Sequence, residues 1–153
     1  MQVITNHKVI RNNFEKVVEK VNEADLVMIP AGFNNHIIWN IGHAVVTQNV
    51  LLYGMSGLDF TLPTDFIKRY KKGSFPSEIE NPKTELENIF ELGKIADEQL
   101  GYDIREMRFG DYQKYETSFG ITLTSFNDAL QFNNIHEAVH LGYVMALKRA
   151  LGY

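Results

Sequence analysis

Between residues 6 and 23 the apolar positions Ile10, Phe14, Val17, Val18 and Val21 recur every three or four residues, with Arg11, Asn12, Glu15, Lys16, Glu19 and Lys20 among them. That spacing gathers the apolar side chains on one face and predicts an amphipathic helix. Pro30 and Gly32 then interrupt the chain, and Asn34 or Asn35 is placed to cap a second helix. From about 35 to 54 there is no Asp, Glu, Lys or Arg, so this helix is expected to be buried on most of its circumference. Gly54 and Gly57 end it.

A third long helix is expected after Asn81-Pro82, since proline suits a first helical turn. Leu86, Ile89, Phe90, Gly93, Ala96 and Leu100 form its stripe. The last runs from about 124 to 151, opening on the cap candidates Thr124, Ser125, Asn127 and Asp128. Lys148 and Arg149 complement the dipole at its end. The connection 56–81 carries a short helix near 64–70 and the basic run Lys68-Arg69-Tyr70-Lys71-Lys72. Residues 101–121, polar and aromatic, read as loop with a short extended piece. The connection between the second and third long helices is more than twice as long as that between the first two. A crossover of that length lets two helices run parallel. The expected fold is all-α: one domain over residues 1–153, a four-helix bundle in up-down-down-up order.

Composition narrows what such a bundle can do. Across 153 residues, Lys plus Arg total 15 against 19 Asp plus Glu, a net charge of −4, which argues against a generic nucleic-acid binder. No basic segment leads an apolar run at the start, and no apolar stretch is long enough to cross a bilayer. A cytoplasmic protein without a membrane or nucleic-acid partner is expected. Cysteine is absent, which removes disulfides, thiolate metal ligands and a resident thiol nucleophile. Five histidines and the carboxylates remain for metal or acid–base chemistry: His7, His36, His43, His136 and His140.

His136 and His140 stand one turn apart on the same face of the last helix, a spacing that brings two imidazoles to one metal ion. Their stripe continues through Ala129, Asn133, Val144, Leu147 and Leu151, so the pair faces inward. On the second helix, His43 shares an inward stripe with Trp39, Val46 and Val50. Three neutral imidazoles around a dication leave coordination positions open, as catalytic sites require. The alternative is a chance pairing of hydrogen-bonded core histidines. His136-Glu137-Ala138-Val139-His140 also matches the HExxH peptidase signature, with Glu137 as general base. The thirteen residues after His140 contain no His, Asp or Glu to complete such a site, and a peptidase is disfavoured.

These residues resemble the DinB/YfiT-like family of helical-bundle metalloenzymes. The matching pieces are Ile38-Trp39-Asn40-Ile41-Gly42-His43, Phe119-Gly120-Ile121-Thr122-Leu123-Thr124 and His136-Glu137-Ala138-Val139-His140-Leu141-Gly142. The resemblance implies a bundle in up-down-down-up order, a zinc or nickel ion on His43, His136 and His140, and homodimers. Characterised relatives include transferases of low-molecular-weight thiols and a maleylpyruvate isomerase. Many relatives carry a basic residue where this chain has Leu141. The expected function is a metal-dependent transferase or hydrolase acting on a small molecule, with a low-molecular-weight thiol as a possible cosubstrate. A non-catalytic bundle, with or without a structural metal, is the alternative.

The remaining chemistry-bearing residues have two readings each. Trp39 lines the substrate pocket or is a core aromatic. Glu137 is a catalytic base or partner to the ligands, or a solvated helix residue, the latter preferred. His7 is read as a cap or surface residue rather than a fourth ligand, and His36 as exposed. The basic run at 68–72 is read as a solvated face, with an anion grip as the functional alternative. Phe109, Tyr112, Tyr115 and Phe119 either cap the bundle end or cover a substrate entrance.

Overall fold

The computed structural model describes residues 2–153. Five α-helices make up most of the chain: α1 (Gln2–Val18), α2 (Ile37–Leu52), α3 (Thr64–Tyr70), α4 (Pro82–Arg105) and α5 (Phe126–Ala150). Short 3-10 turns lie at Glu23–Val27 and Gly54–Ser56. Strands β1 (Tyr115–Glu116) and β2 (Thr122–Leu123) pair antiparallel, Tyr115 opposite Leu123, across a turn in which Gly120 takes a positive φ of 75°. The fold is mostly helical, as expected. Among the described residues no helix is long and apolar enough to cross a membrane.

The uncharged helix is the centre. All of α2 except Thr47 and Val50 is buried, and α3, α4 and α5 all pack on it, while α1 packs on α5. The caps form as the sequence suggests for α5, where Ser125 accepts from the Asp128 amide. They differ for α2: His36, not an asparagine, is the N-cap, and its Nδ1 accepts from the Trp39 amide at 3.1 Å. Helix limits shift where amphipathicity gives no stop signal. α1 starts at Gln2 and ends at Val18, and α4 continues through Arg105 into a segment expected to be loop.

Two apolar cores form. Phe14, Ile38, Ile41, Val45, Ile89, Val144 and Leu147 belong to one; Leu51, Leu52, Leu100, Leu123, Leu130 and Phe132 belong to the other. Along α2, α4 and α5 the buried Gln48, Asn133 and Glu137 and the partly buried Asp97 fall between the residues of the two cores. With His7 and Arg11 from α1 they make one hydrogen-bonded layer. Arg11 donates to both Glu137 oxygens (Nε 2.7 Å, Nη2 2.6 Å) and to Gln48 Oε1 at 2.8 Å. Asn133 donates to Glu137 at 3.0 Å, and His7 Nε2 donates to Asp97 at 2.7 Å. Burial works against the Arg11 charge, yet Glu137 and Asp97 hold its pKa above the ordinary value. Asp97 is pushed up by burial but brought down overall by His7 and Arg11.

This layer corrects two expectations. Glu137 is 0% exposed, not a solvated helix residue, and His7 is 1% exposed, not a surface or cap histidine. Both were misplaced for the same reason: their partners lie 126 and 90 residues away, on other helices. Removing one member of a buried ion pair leaves the other charge uncompensated. Glu137→Ala is expected to lower stability by about 3 kcal/mol in urea unfolding and the melting temperature by roughly 6–12 °C. A loss within about 0.5 kcal/mol, the usual effect at a surface position, would contradict this placement.

Candidate metal centre

Three histidines converge where α2 meets α5. One ring nitrogen from each of His43, His136 and His140 lies within 4.8 Å of the others. Two of the rings are held by bonds at their far nitrogen. His43 Nδ1 lies 2.7 Å from the Tyr70 carbonyl, which can only accept, so the proton is on Nδ1 and the lone pair on Nε2. Tyr70 comes this close because position 42 is glycine: a Cβ there would stand 2.6 Å from the Tyr70 ring. His140 Nδ1 donates to Asn40 Oδ1 at 2.9 Å. The Asn40 amide is itself oriented, its nitrogen donating to Asn35 Oδ1 at 2.8 Å and the His36 carbonyl at 2.9 Å. His140 therefore also keeps its lone pair on Nε2. Partners of this kind fix tautomer and ring orientation in metal sites. His136 Nδ1 is buried and has no partner in the protein.

The electrostatics suit the same use. Burial, with the neighbouring histidines, pushes His136 down to about 4 and His140 down to about 3. Burial lowers His43 too; its bond to the Tyr70 carbonyl opposes this and the Lys72 charge adds to it. Three neutral imidazoles are thus presented together at neutral pH, without a carboxylate or thiolate among them. That donor set, with an unpartnered buried nitrogen on His136, fits a borderline dication such as zinc or nickel.

The cluster opens on a cavity of about 220 Å³ walled by Val46, Val50, Phe119, Phe132 and Val139, with Thr47, Lys72 and Tyr115 supplying polar groups. The Thr47 hydroxyl stands 3.3 Å from His43 Nε2 and donates to it. A larger cleft of about 280 Å³ between α1 and α4 shares none of the three histidines. Its charged lining residues, Lys8, Arg11 and Lys94 against Glu15, Asp97 and Glu98, balance in sign.

The matched region runs over almost the whole chain: the DinB superfamily model covers residues 7–144. The chain belongs to the DinB superfamily. A search of curated proteins finds no match to it.

Within this DinB-superfamily chain the other singled-out residues fall as follows. Trp39 is not on the cavity wall. It is 8% exposed, stacks on His43 with centroids 4.7 Å apart and planes 6° from parallel, and donates its indole N–H to Ser74 at 3.0 Å. Glu137 does not join the cluster, and both its oxygens are taken by Arg11. His36 is 3% exposed rather than solvated, and burial pushes it down to about 4, which keeps its capping nitrogen an acceptor. The aromatic loop divides: Phe109 stacks on Phe126 and Tyr112 packs on the second core, whereas Tyr115 and Phe119 line the cavity. The contacts that Asn40, Tyr70 and Thr47 make with the histidines are not among the expectations from the sequence. A polar residue one turn before a ligand histidine was the available signal for Asn40; the other two had none.

Metal ions compete with protons for the ligand nitrogens, so depressed pKa values protect the site from acid. Zinc affinity is expected to change by less than about tenfold between pH 7.5 and 5.5, whereas histidines of ordinary pKa would each cost about tenfold. A loss near a thousandfold, read by competition with a chelator, would contradict the geometry. The sign reverses for stability without metal. An unfolded histidine takes its proton near pH 6.5 and the folded ones only near 3–4. The metal-free protein should therefore lose stability as pH falls below about 6.5.

Proposed function

We propose that this protein is a metal-dependent enzyme of the transferase or hydrolase type. In this reading it holds one zinc or nickel ion on His43, His136 and His140 and acts on a small molecule in the adjoining cavity. The observation that carries the reading is the convergence of three ring nitrogens, two of them on rings locked in the tautomer a ligand needs. A dication bound there would acidify a water or a low-molecular-weight thiol beside it. Because the chain has no cysteine, a sulfur nucleophile must be borrowed. The residues around the cluster prepare the place: Asn40 and the Tyr70 carbonyl orient the ligands, Thr47 offers a hydroxyl beside His43, and aromatic and valine side chains line the cavity beside them.

The competing reading, a structural metal, draws support from the way His43 and the α5 pair would tie two helices together. The cavity against the cluster favours substrate access instead. The peptidase reading needs a free carboxylate beside the ligands, and Arg11 occupies both oxygens of Glu137. We read the four long helices as one bundle domain in up-down-down-up order, supported by α5 packing on both α1 and α2 and by α2 packing on α4. A homodimer is part of the same reading. Its support is the exposed apolar positions Ile135 and Met145 along α5.

Protein purified without a histidine tag, loaded with zinc and freed of excess should retain about one ion per chain. His43→Ala, His136→Ala and His140→Ala should each abolish retention, and Asn40→Ala should weaken affinity about 10–100-fold while leaving the stoichiometry intact. Retention below about a third of an ion per wild-type chain would sink the site. A zinc-loaded protein that turns over no thiol-transfer, isomerase or hydrolase substrate beyond its metal-free form would favour the structural role.

A further inference from the structure

We propose that the cavity takes a small organic carboxylate with an apolar or aromatic body, and that Lys72 binds the carboxylate. The inference rests on the metal-site reading above. It begins with the fate of the basic run. Lys68 pairs with Asp65 at 3.3 Å, and Arg69 pairs with Glu85 at 3.0 Å. Lys72 alone of the run reaches the cavity that holds the three histidines, and it has no ion-pair partner among the described residues.

Its place is built, not incidental. The segment carrying it is pinned to α2 on both sides: the Tyr70 carbonyl accepts from His43, and the Ser74 hydroxyl accepts from Trp39 at 3.0 Å. Gly73, at φ 83°, makes the turn between them. One short loop thus orients a ligand histidine and delivers a cation beside it.

The rest of the wall selects the ligand. No Asp or Glu lines the cavity, so neither Lys72 nor a dication on the histidines is neutralised by the protein. A bound anion would supply that charge, and Lys72, which lines the cavity while staying exposed to solvent, can meet it without first being buried. Phe119, Phe132 and Val139 give the opposite side an apolar, partly aromatic surface that rewards a hydrophobic body. The volume of about 220 Å³ lies below the roughly 300–1,000 Å³ of drug-sized sites and admits a molecule of roughly ten heavy atoms. A single lysine in a mainly apolar cavity matches a monoanionic carboxylate. A phosphate dianion would leave one of its charges unmatched by the single lysine, and the wall offers no arginine fork.

Phenylacetate, its neutral counterpart phenylacetamide, and acetate are the probes. Each is titrated by amide chemical-shift changes into zinc-loaded protein whose zinc content is measured on the same sample. Phenylacetate should bind at least about tenfold tighter than phenylacetamide, the worth of a charged hydrogen bond, and tighter than acetate. Lys72→Gln should cut the preference over the amide to within about threefold with zinc content and circular dichroism unchanged, and Lys72→Arg should keep most of it. Equal binding of acid and amide overturns the proposal. So does a preference that survives Lys72→Gln, because the carboxylate is then held elsewhere. The same titration of zinc-free protein separates the two readings. If the wild type retains no zinc, the metal site fails, and Lys72 still stands or falls on whether Lys72→Gln removes the preference there.

Discussion

Burying α2 on nearly every side obliges each of its polar side chains to find a partner, and those partners locate the other helices. His36 turns inward to cap the helix. Asn40 reaches His140 on α5, and His43 reaches the Tyr70 carbonyl at the end of α3. Gln48 meets Arg11 of α1 and Asp97 of α4, and Asn49 exchanges two bonds with Thr61 of the following loop. An apolar helix of the same length would have been indifferent to how its neighbours slide and turn. A helix with four buried polar residues and a buried capping histidine is not, since an unpaired buried polar group costs about 1–3 kcal/mol.

The same bonds serve the candidate centre. Two of the contacts that satisfy α2 are also the contacts that orient ligand rings, so the fold and the site share one set of hydrogen bonds. The Arg11–Glu137 layer supports them from behind, because Glu137 stands next to His136 on α5 and ties that helix to α1. A charge buried beside three neutral imidazoles is tolerable here because the guanidinium takes it up completely. The cavity side carries no such carboxylate, and the contrast between the two faces of α5 keeps Glu137 apart from the three histidines.

Much of this was legible in the sequence. The uncharged run announced a buried helix, the Thr64–Tyr70 helix falls where the connection suggested, and the spacing of His136, His140 and His43 pointed to one inward trio that the structure does bring together. Two of the failures share a cause. Periodicity says which face of a helix is apolar but not which polar residues are buried against a distant partner. His7 and Glu137 looked solvated for that reason, and the burial of Glu137 depends on Arg11, which by pattern belongs to a polar face; His36 differs, being buried with a local partner, the Trp39 amide it caps. Trp39 was ambiguous because a residue one turn from a ligand can stand before it or behind it; it stands behind. The basic run is the solvated face expected of it, with Lys68, Arg69, Lys71 and Lys72 exposed and Tyr70 alone turned into the core; that Lys72 also reaches the cavity is decided by the course of the backbone.

In the proposed site three imidazoles, and no carboxylate, hold a dication with a position left open. X-ray absorption at the zinc edge of the loaded protein reads this directly. The account predicts about three imidazole nitrogens at roughly 2.0–2.1 Å, with their outer-ring scattering, and about one lighter oxygen donor that is replaced when a thiol is added. Fewer than three imidazoles, or a shell filled by protein carboxylate that no added thiol displaces, would contradict it.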